Sequence, residues 1–159
     1  MTIVRHATEE DRFGLFRLAV DMHAETDFAG LAFDPERALN GLGGWIHGDG
    51  GLMLVAESGG EIVGMLAAAK KVPWFTSDVI ASEDLFFVRK DFRGSPCAFR
   101  LMKAFLAWAE DRGAVHVRAG IATGDPGSNA DRLYLHFGFH KVGGCYSLFP
   151  GRDTSEIAK

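Results

Sequence analysis

With 159 residues, 47% of them hydrophobic and 24% charged, the chain suffices for one globular domain with a sizeable core. Its net charge of −4, with no run of like charges, argues against a general nucleic-acid binder, which carries a basic patch and a high pI. The start, MTIVRHATEEDR, is too charged for a signal peptide, no apolar run approaches the ~18 residues of a membrane span, and Cys97 and Cys145 are too few for a disulfide framework. A soluble cytoplasmic protein in a reducing compartment is expected, with neither a membrane nor a nucleic acid as partner.

Thr2 to His6 is a short β-like run. Thr8 then caps a helix, with Asp11 three residues on as a capping-box variant. Phe13, Phe16, Val20 and His23 follow at helical spacing on one face, which Leu15, Leu18 and Met22 widen. Glu25 to Phe33 lacks a period and reads as a loop. Asp34 and Pro35 form an N-cap and first-turn pair for a second helix towards Ile46, which Gly41, Gly43 and Gly44 weaken. Leu52–Glu57 and Ile62–Ala69 are strands joined by a hairpin at Gly59-Gly60, since glycines tolerate the positive φ of a tight turn. Lys70–Asp78 is a loop, and Val79–Val88 is apolar enough for a central strand.

The next helix is capped by Ser95, has Pro96 in its first turn and ends at Gly113. Its stripe is Ala98, Leu101, Met102, Phe105, Trp108 and Ala109. Ala114–Ala122 is a strand that should run parallel to the central one, across a right-handed helical crossover. A glycine-rich loop, 123–129, leads to a short helix over Ala130–Phe137, closed by Gly138. Lys141–Phe149 is a last strand, bulged at Gly143-Gly144. The order β-α-α-β-β-β-α-β-α-β predicts an α/β fold, a mixed sheet of about six to seven strands flanked by about four helices. One domain spans residues 1–149, followed by a frayed polar tail, 150–159.

The loop and first helical turn from Arg93 to Ala98 suit an anionic ligand. Free amides at a helix N-terminus, with the positive end of the helix dipole, attract phosphate. The amides of Gly94, Ser95, Cys97 and Ala98 are candidate donors, while Pro96 has none. Arg89, Lys90, Arg93 and Arg100 add positive charge around this loop. Cys97, at a helix N-terminus where thiol pKa falls, admits a covalent acyl-cysteine route, against the plainer reading of a small packed residue.

Two motifs within this order resemble the GNAT family of acyl-CoA-dependent N-acyltransferases. LFFVRKDFRGSPCAFRLM is similar to the family's cofactor signature, with Arg93 and Ala98 at its first and last positions and Pro96 where glycine is usual. LYLHFGF is similar to the tyrosine-bearing helix, with Tyr134, Gly138 and Phe139 matching and Asn129 two residues too close to match the usual asparagine. The resemblance covers Thr2 to Phe149 and implies acetyl-CoA as co-substrate, no metal, and an amine acceptor, either a small molecule or a peptide. Dimers are common in the family, so it admits a homodimer.

It also implies that the central strand parts from its parallel neighbour. The backbone of Phe86, Phe87 and Val88 then meets the pantetheine and the thioester carbonyl, which needs an oxyanion donor. Tyr134 would donate a hydrogen bond to the departing thiolate. Full proton transfer from a phenol near 10 to a thiolate near 8.5 is uphill by about 2 kcal/mol, so a hydrogen bond is the safer role. An alkyl amine near 10.4 is almost wholly protonated at neutral pH, so a base is needed. Glu83 is the first candidate, Asp84 alternates to the other face, and His116 on the adjacent strand is the rival. Trp45, Trp74, Phe28 and Phe33 are expected on the acceptor side, with Glu25, Asp27, Asp34 and Glu36 suited to a cationic amine. Direct transfer in a ternary complex is the expected chemistry. The alternatives are a CoA-binding sensor without turnover and an enzyme acting on a macromolecular acceptor.

Overall fold

A computed structural model describes residues 1–48, 51–120, 129–144 and 146–150. The sheet contains β1 (Thr2–His6), β2 (Gly51–Ser58), β3 (Glu61–Lys71), β4 (Ile80–Val88) and β5 (His116–Arg118), in that spatial order. β1 to β4 pair antiparallel, and β5 runs parallel to β4. The helices are α1 (Arg12–Glu25), α2 (Pro35–His47), α3 (Cys97–Asp111) and α4 (Asn129–His136). Short 3₁₀ turns lie at Glu9–Asp11, Asp27–Gly30 and Lys90–Phe92.

Alternation along the strands sends side chains to two cores. Leu52, Leu54 and Ala56 of β2 face α3 and α4, where Leu101, Met102, Phe105 and Tyr134 are buried. Met53 and Val55 face α1 and α2, against Leu15, Leu18 and Leu42. Gly59 and Gly60 turn the β2–β3 hairpin at φ of 61° and 81°. The Asp34 side chain caps α2 by accepting from the Arg37 amide at 3.0 Å. That helix runs unbroken despite its glycines. At Gly43 a Cβ would come within 2.3 Å of the Arg12 guanidinium, so the glycine permits close approach of α1.

Several expectations need correction. The buried stripe of α1 is Leu15, Leu18 and Ala19, while Phe13 and Val20 are exposed. Apolar residues surround that helix, so its core face was ambiguous. α3 begins at Cys97 with Pro96 as its N-cap, although Ser95 Oγ still accepts the Cys97 amide at 3.3 Å. The parallel strand is only three residues long in the described chain, and positions 121 and 122 of its predicted range, with loop residues 123–128, Cys145 and the tail 151–159, lie outside the described residues.

The sheet has five strands among the described residues, not six to seven, because residues 141–144 and 146–149 form no strand. Their apolar side chains Val142, Tyr146 and Leu148 are exposed, and Gly143-Gly144 contribute no side chain to a ladder while raising the entropic cost of ordering one. The segment is held at its end by Phe149, whose ring sits where a Cβ on Gly30 would come within 2.7 Å.

Candidate active site

The site begins with a bulge in β4. Ala67 pairs with Leu85 and Ala68 with Glu83, so Asp84 is an extra residue without a partner on β3. The bulge resets which face each side chain takes. Ala81 and Glu83 look towards α3 and α4, Leu85 and Phe87 towards α1 and α2, and Phe86 and Val88 towards α3 again. Simple alternation therefore fails at Asp84, whose carboxylate instead pairs with Lys71 at 2.8 Å.

Beyond that point the parallel ladder stops. β4 and β5 pair only at Ile80–His116, Ala81–Val117 and Ser82–Arg118. Among the described residues, Glu83 and Leu85 to Val88 pair with β3 alone. The Val88 carbonyl accepts from Arg93 Nε at 2.9 Å. Among the described residues, the rest of this edge has no strand partner opposite β3, as expected from a strand that parts from its neighbour.

Three groups meet at the mouth of the split. The Tyr134 hydroxyl lies 2.8 Å from Glu83 Oε2 and 2.8 Å from the Gly120 carbonyl. Tyr134 is placed there by α4, which Gly138 terminates at φ 85° while the Phe139 amide returns to the Tyr134 carbonyl. Its ring packs on Phe139 at 5.5 Å between centroids. Burial pushes the Glu83 carboxyl up to about 7, and the neighbouring Asp84 charge adds to this. Hydrogen bonds from Tyr134 and from the Gly120 amide pull the other way. Tyr134 stands well above the usual phenol range, first through burial and then through the Glu83 charge.

His116 does not join them. It is exposed and pairs with Ile80, about 10 Å along the strand from Glu83. Gly120 was missed by sequence reasoning, because its role is carried by main-chain atoms.

The anion cradle is half open. Gly94 adopts φ 86°, and a Cβ there would meet nothing within 4 Å. Among the described residues, no acceptor takes the amides of Gly94 and Ala98. The Ser95 amide donates to the Phe92 carbonyl and the Cys97 amide to Ser95 Oγ, so these two are committed within the turn. Three of the four expected cations are also engaged. Arg89 pairs with Glu61 and Asp91, Arg93 with Glu25, and Arg100 donates to the Thr2 carbonyl.

Cys97 is buried, and desolvation raises its thiol to about 11. Burial outweighs the helix N-terminus, and the covalent acyl-cysteine route is set aside. Gly64 makes room for it, since a Cβ there would come 2.8 Å from the sulfur.

On the expected acceptor side, Phe33 packs between Phe16 and His23, and Phe28 is half-exposed. Trp45 and Val72 line an open cleft of about 370 Å³. Trp74 is almost fully exposed beside Phe75. A second cleft of about 360 Å³ opens between α1 and the β2–β3 hairpin, among Arg5, Phe13 and Glu57. Neither cleft is lined by Tyr134 or Glu83. No helix among the described residues is long and apolar enough to cross a membrane, and no cluster there could hold a metal ion.

Around a split parallel strand pair, an amide-bearing turn and a tyrosine at the mouth, residues 13–139 match the acetyltransferase (GNAT) family. The chain belongs to that family. As a GNAT-type N-acetyltransferase it uses acetyl-CoA as co-substrate. The uncommitted Gly94 and Ala98 amides and the open β4 edge fit that molecule.

Among solved structures, a transcriptional regulator from Bacillus halodurans C-125 is similar at 20% identity and a TM-score of 0.77, over 94% of this chain and 99% of the other. AAC(6')-Iy in complex with a bisubstrate analog, CoA-S-monomethyl-acetylneamine, matches at 15% identity and 0.74, over 96% and 99%. A ribosomal-protein-alanine N-acetyltransferase from Brucella melitensis biovar Abortus 2308 matches at 16% and 0.69, over 94% and 99%. At these identities the GNAT likeness extends to the fold and not to the acceptor. No curated protein matches this acetyltransferase in sequence.

Proposed function

We propose that this chain transfers acetyl from acetyl-CoA to a small primary amine by direct attack in a ternary complex. The observation that carries this reading is the meeting of Glu83, Tyr134 and Gly120 where β4 and β5 part. In this reading the Gly94 and Ala98 amides bind pyrophosphate, and the Ser95 and Cys97 bonds hold the turn in shape. The open backbone of Phe86, Phe87 and Val88 takes the pantetheine and presents an oxyanion donor to the thioester carbonyl. Glu83 is the base. A carboxyl near 7 is matched to neutral pH far better than an ordinary glutamate. Tyr134 is the donor to the departing sulfur.

The small-amine preference rests on AAC(6')-Iy, whose bound analog joins CoA to a neamine derivative. Thiol release from acetyl-CoA against aminoglycosides, polyamines, amino acids and peptides tests it. Release with a small amine is expected. Release only with peptides would move the acceptor to a macromolecule, and stabilisation by CoA without any release would make the chain a sensor.

A further inference from the structure

The Tyr134 hydroxyl has one proton and two acceptors, Glu83 Oε2 and the Gly120 carbonyl, each at 2.8 Å. With Glu83 ionised, the phenol donates to the carboxylate or to the carbonyl. With Glu83 protonated on Oε2, the carboxyl donates to the phenol oxygen, and the phenol O–H turns to the Gly120 side. A proton on Glu83 Oε2 therefore decides where the phenol proton points. Residue 120 holds both partners, because its amide also donates to Glu83. Among the described residues, the other charges acting on the pair are Asp84 on β4, held by Lys71, and Asp131 on α4.

We propose that Glu83 and Tyr134 act as one proton relay, in which the proton lost by the amine enters at Glu83 and a proton leaves to sulfur from Tyr134. The inference rests on the acyl-transfer reading above. The amine attacks as the free base. Its nitrogen forms the bond to the acyl carbon, the carbon–sulfur bond breaks, and the electron pair of that bond stays on sulfur. The nitrogen proton passes to the Glu83 carboxylate, the phenol proton passes to sulfur, and the Glu83 carboxyl proton passes to the phenolate oxygen. Nitrogen has lost one proton, sulfur has gained one, and both side chains end as they began.

The relay removes the difficulty of a lone phenol donor. A tyrosine near 10 is a weaker acid than a thiol near 8.5, and this one is weaker still. Glu83, at about 7, is a stronger acid than the thiol, so a transfer that ends with Glu83 deprotonated runs downhill.

Two measurements test this together. In the free protein, ¹³C-carboxyl NMR follows the Glu83 titration in wild type and in Tyr134→Phe, which keeps the ring on Phe139. The relay predicts a higher Glu83 midpoint in the variant, because a donor to the carboxylate is lost; an unmoved midpoint overturns it. In turnover with acetyl-CoA and the best amine of the panel, Tyr134→Phe and Glu83→Gln should each lower kcat by about 10²-fold, and the double variant by no more than either. Losses that multiply overturn the relay and leave acyl transfer standing. No thiol release with any amine removes the acyl-transfer reading and the relay with it, whatever the titrations do.

Discussion

Asp11 and Glu83 are both withdrawn from water, at opposite parts of the sheet, and their surroundings push them in opposite directions. Asp11 accepts two N–H groups from Arg5 at 2.7 and 2.9 Å and the Thr8 amide at 2.8 Å. Those Arg5 bonds hold its carboxyl below the usual range. Arg5 also reaches Glu57 at 2.8 Å, so the network ties β1 to β2 and to the start of α1. Glu83 has a phenol and one amide, and no cation bonds it among the described residues. Its carboxyl rises to about 7. Burial alone does not set the direction of the shift; the number and charge of the donors do. The first carboxylate holds the fold, and the second is kept able to exchange a proton.

The contrast breaks most visibly in turnover. Tyr134→Phe and Glu83→Gln should each lower kcat and kcat/KM by about 10²-fold in a thiol-release assay, whereas Asp11→Asn should act through stability. Next in size, Arg5→Met leaves the Asp11 carboxylate short of its cation. A loss of about 2–4 kcal/mol is expected in denaturant unfolding near neutral pH. Because the folded Asp11 pKa is depressed, this contribution is full above the unfolded value and disappears as pH falls below it, so the penalty should shrink in acid.

Glu83 reverses that sign. Its folded pKa lies above the unfolded value of 4.5, so the fold favours the protonated form and wild type loses stability as pH rises from about 4.5 to about 7. Glu83→Gln should therefore melt higher than wild type at alkaline pH, by up to about 3 kcal/mol of stability, and the gain should vanish in acid. The smallest effect is steric. Gly64→Ala sets a methyl against the Cys97 sulfur and Leu101, at a cost of about 1–2 kcal/mol. Adding Cys97→Ala should recover most of it, and Cys97→Ala alone should leave kcat unchanged.

Much of this was legible in the sequence, for reasons that differ by residue. Gly59-Gly60, Asp34-Pro35 and Gly113 carry their conformations locally, and each is found as expected. Tyr134 and Glu83 were each legible as candidates, but their bond spans 51 residues of sequence and depends on how α4 packs against β4. The Asp84 bulge lies in the pairing register between two strands, which no single-strand alternation encodes. Cys97 carried two readings because its helix position is local, whereas the burial against Gly64 that favours the packed residue is tertiary. The Arg5–Asp11–Glu57 network was missed, since Asp11 already had a complete local explanation as a capping residue.

The most direct measurement is the titration of the carboxyl carbons in the uniformly ¹³C-labelled wild-type protein. Glu83 should titrate near 7 and Asp11 below the ordinary aspartate value of 3.8. A Glu83 midpoint at the ordinary glutamate value of 4.5 would contradict a carboxyl poised to accept the amine proton at the mouth of the split.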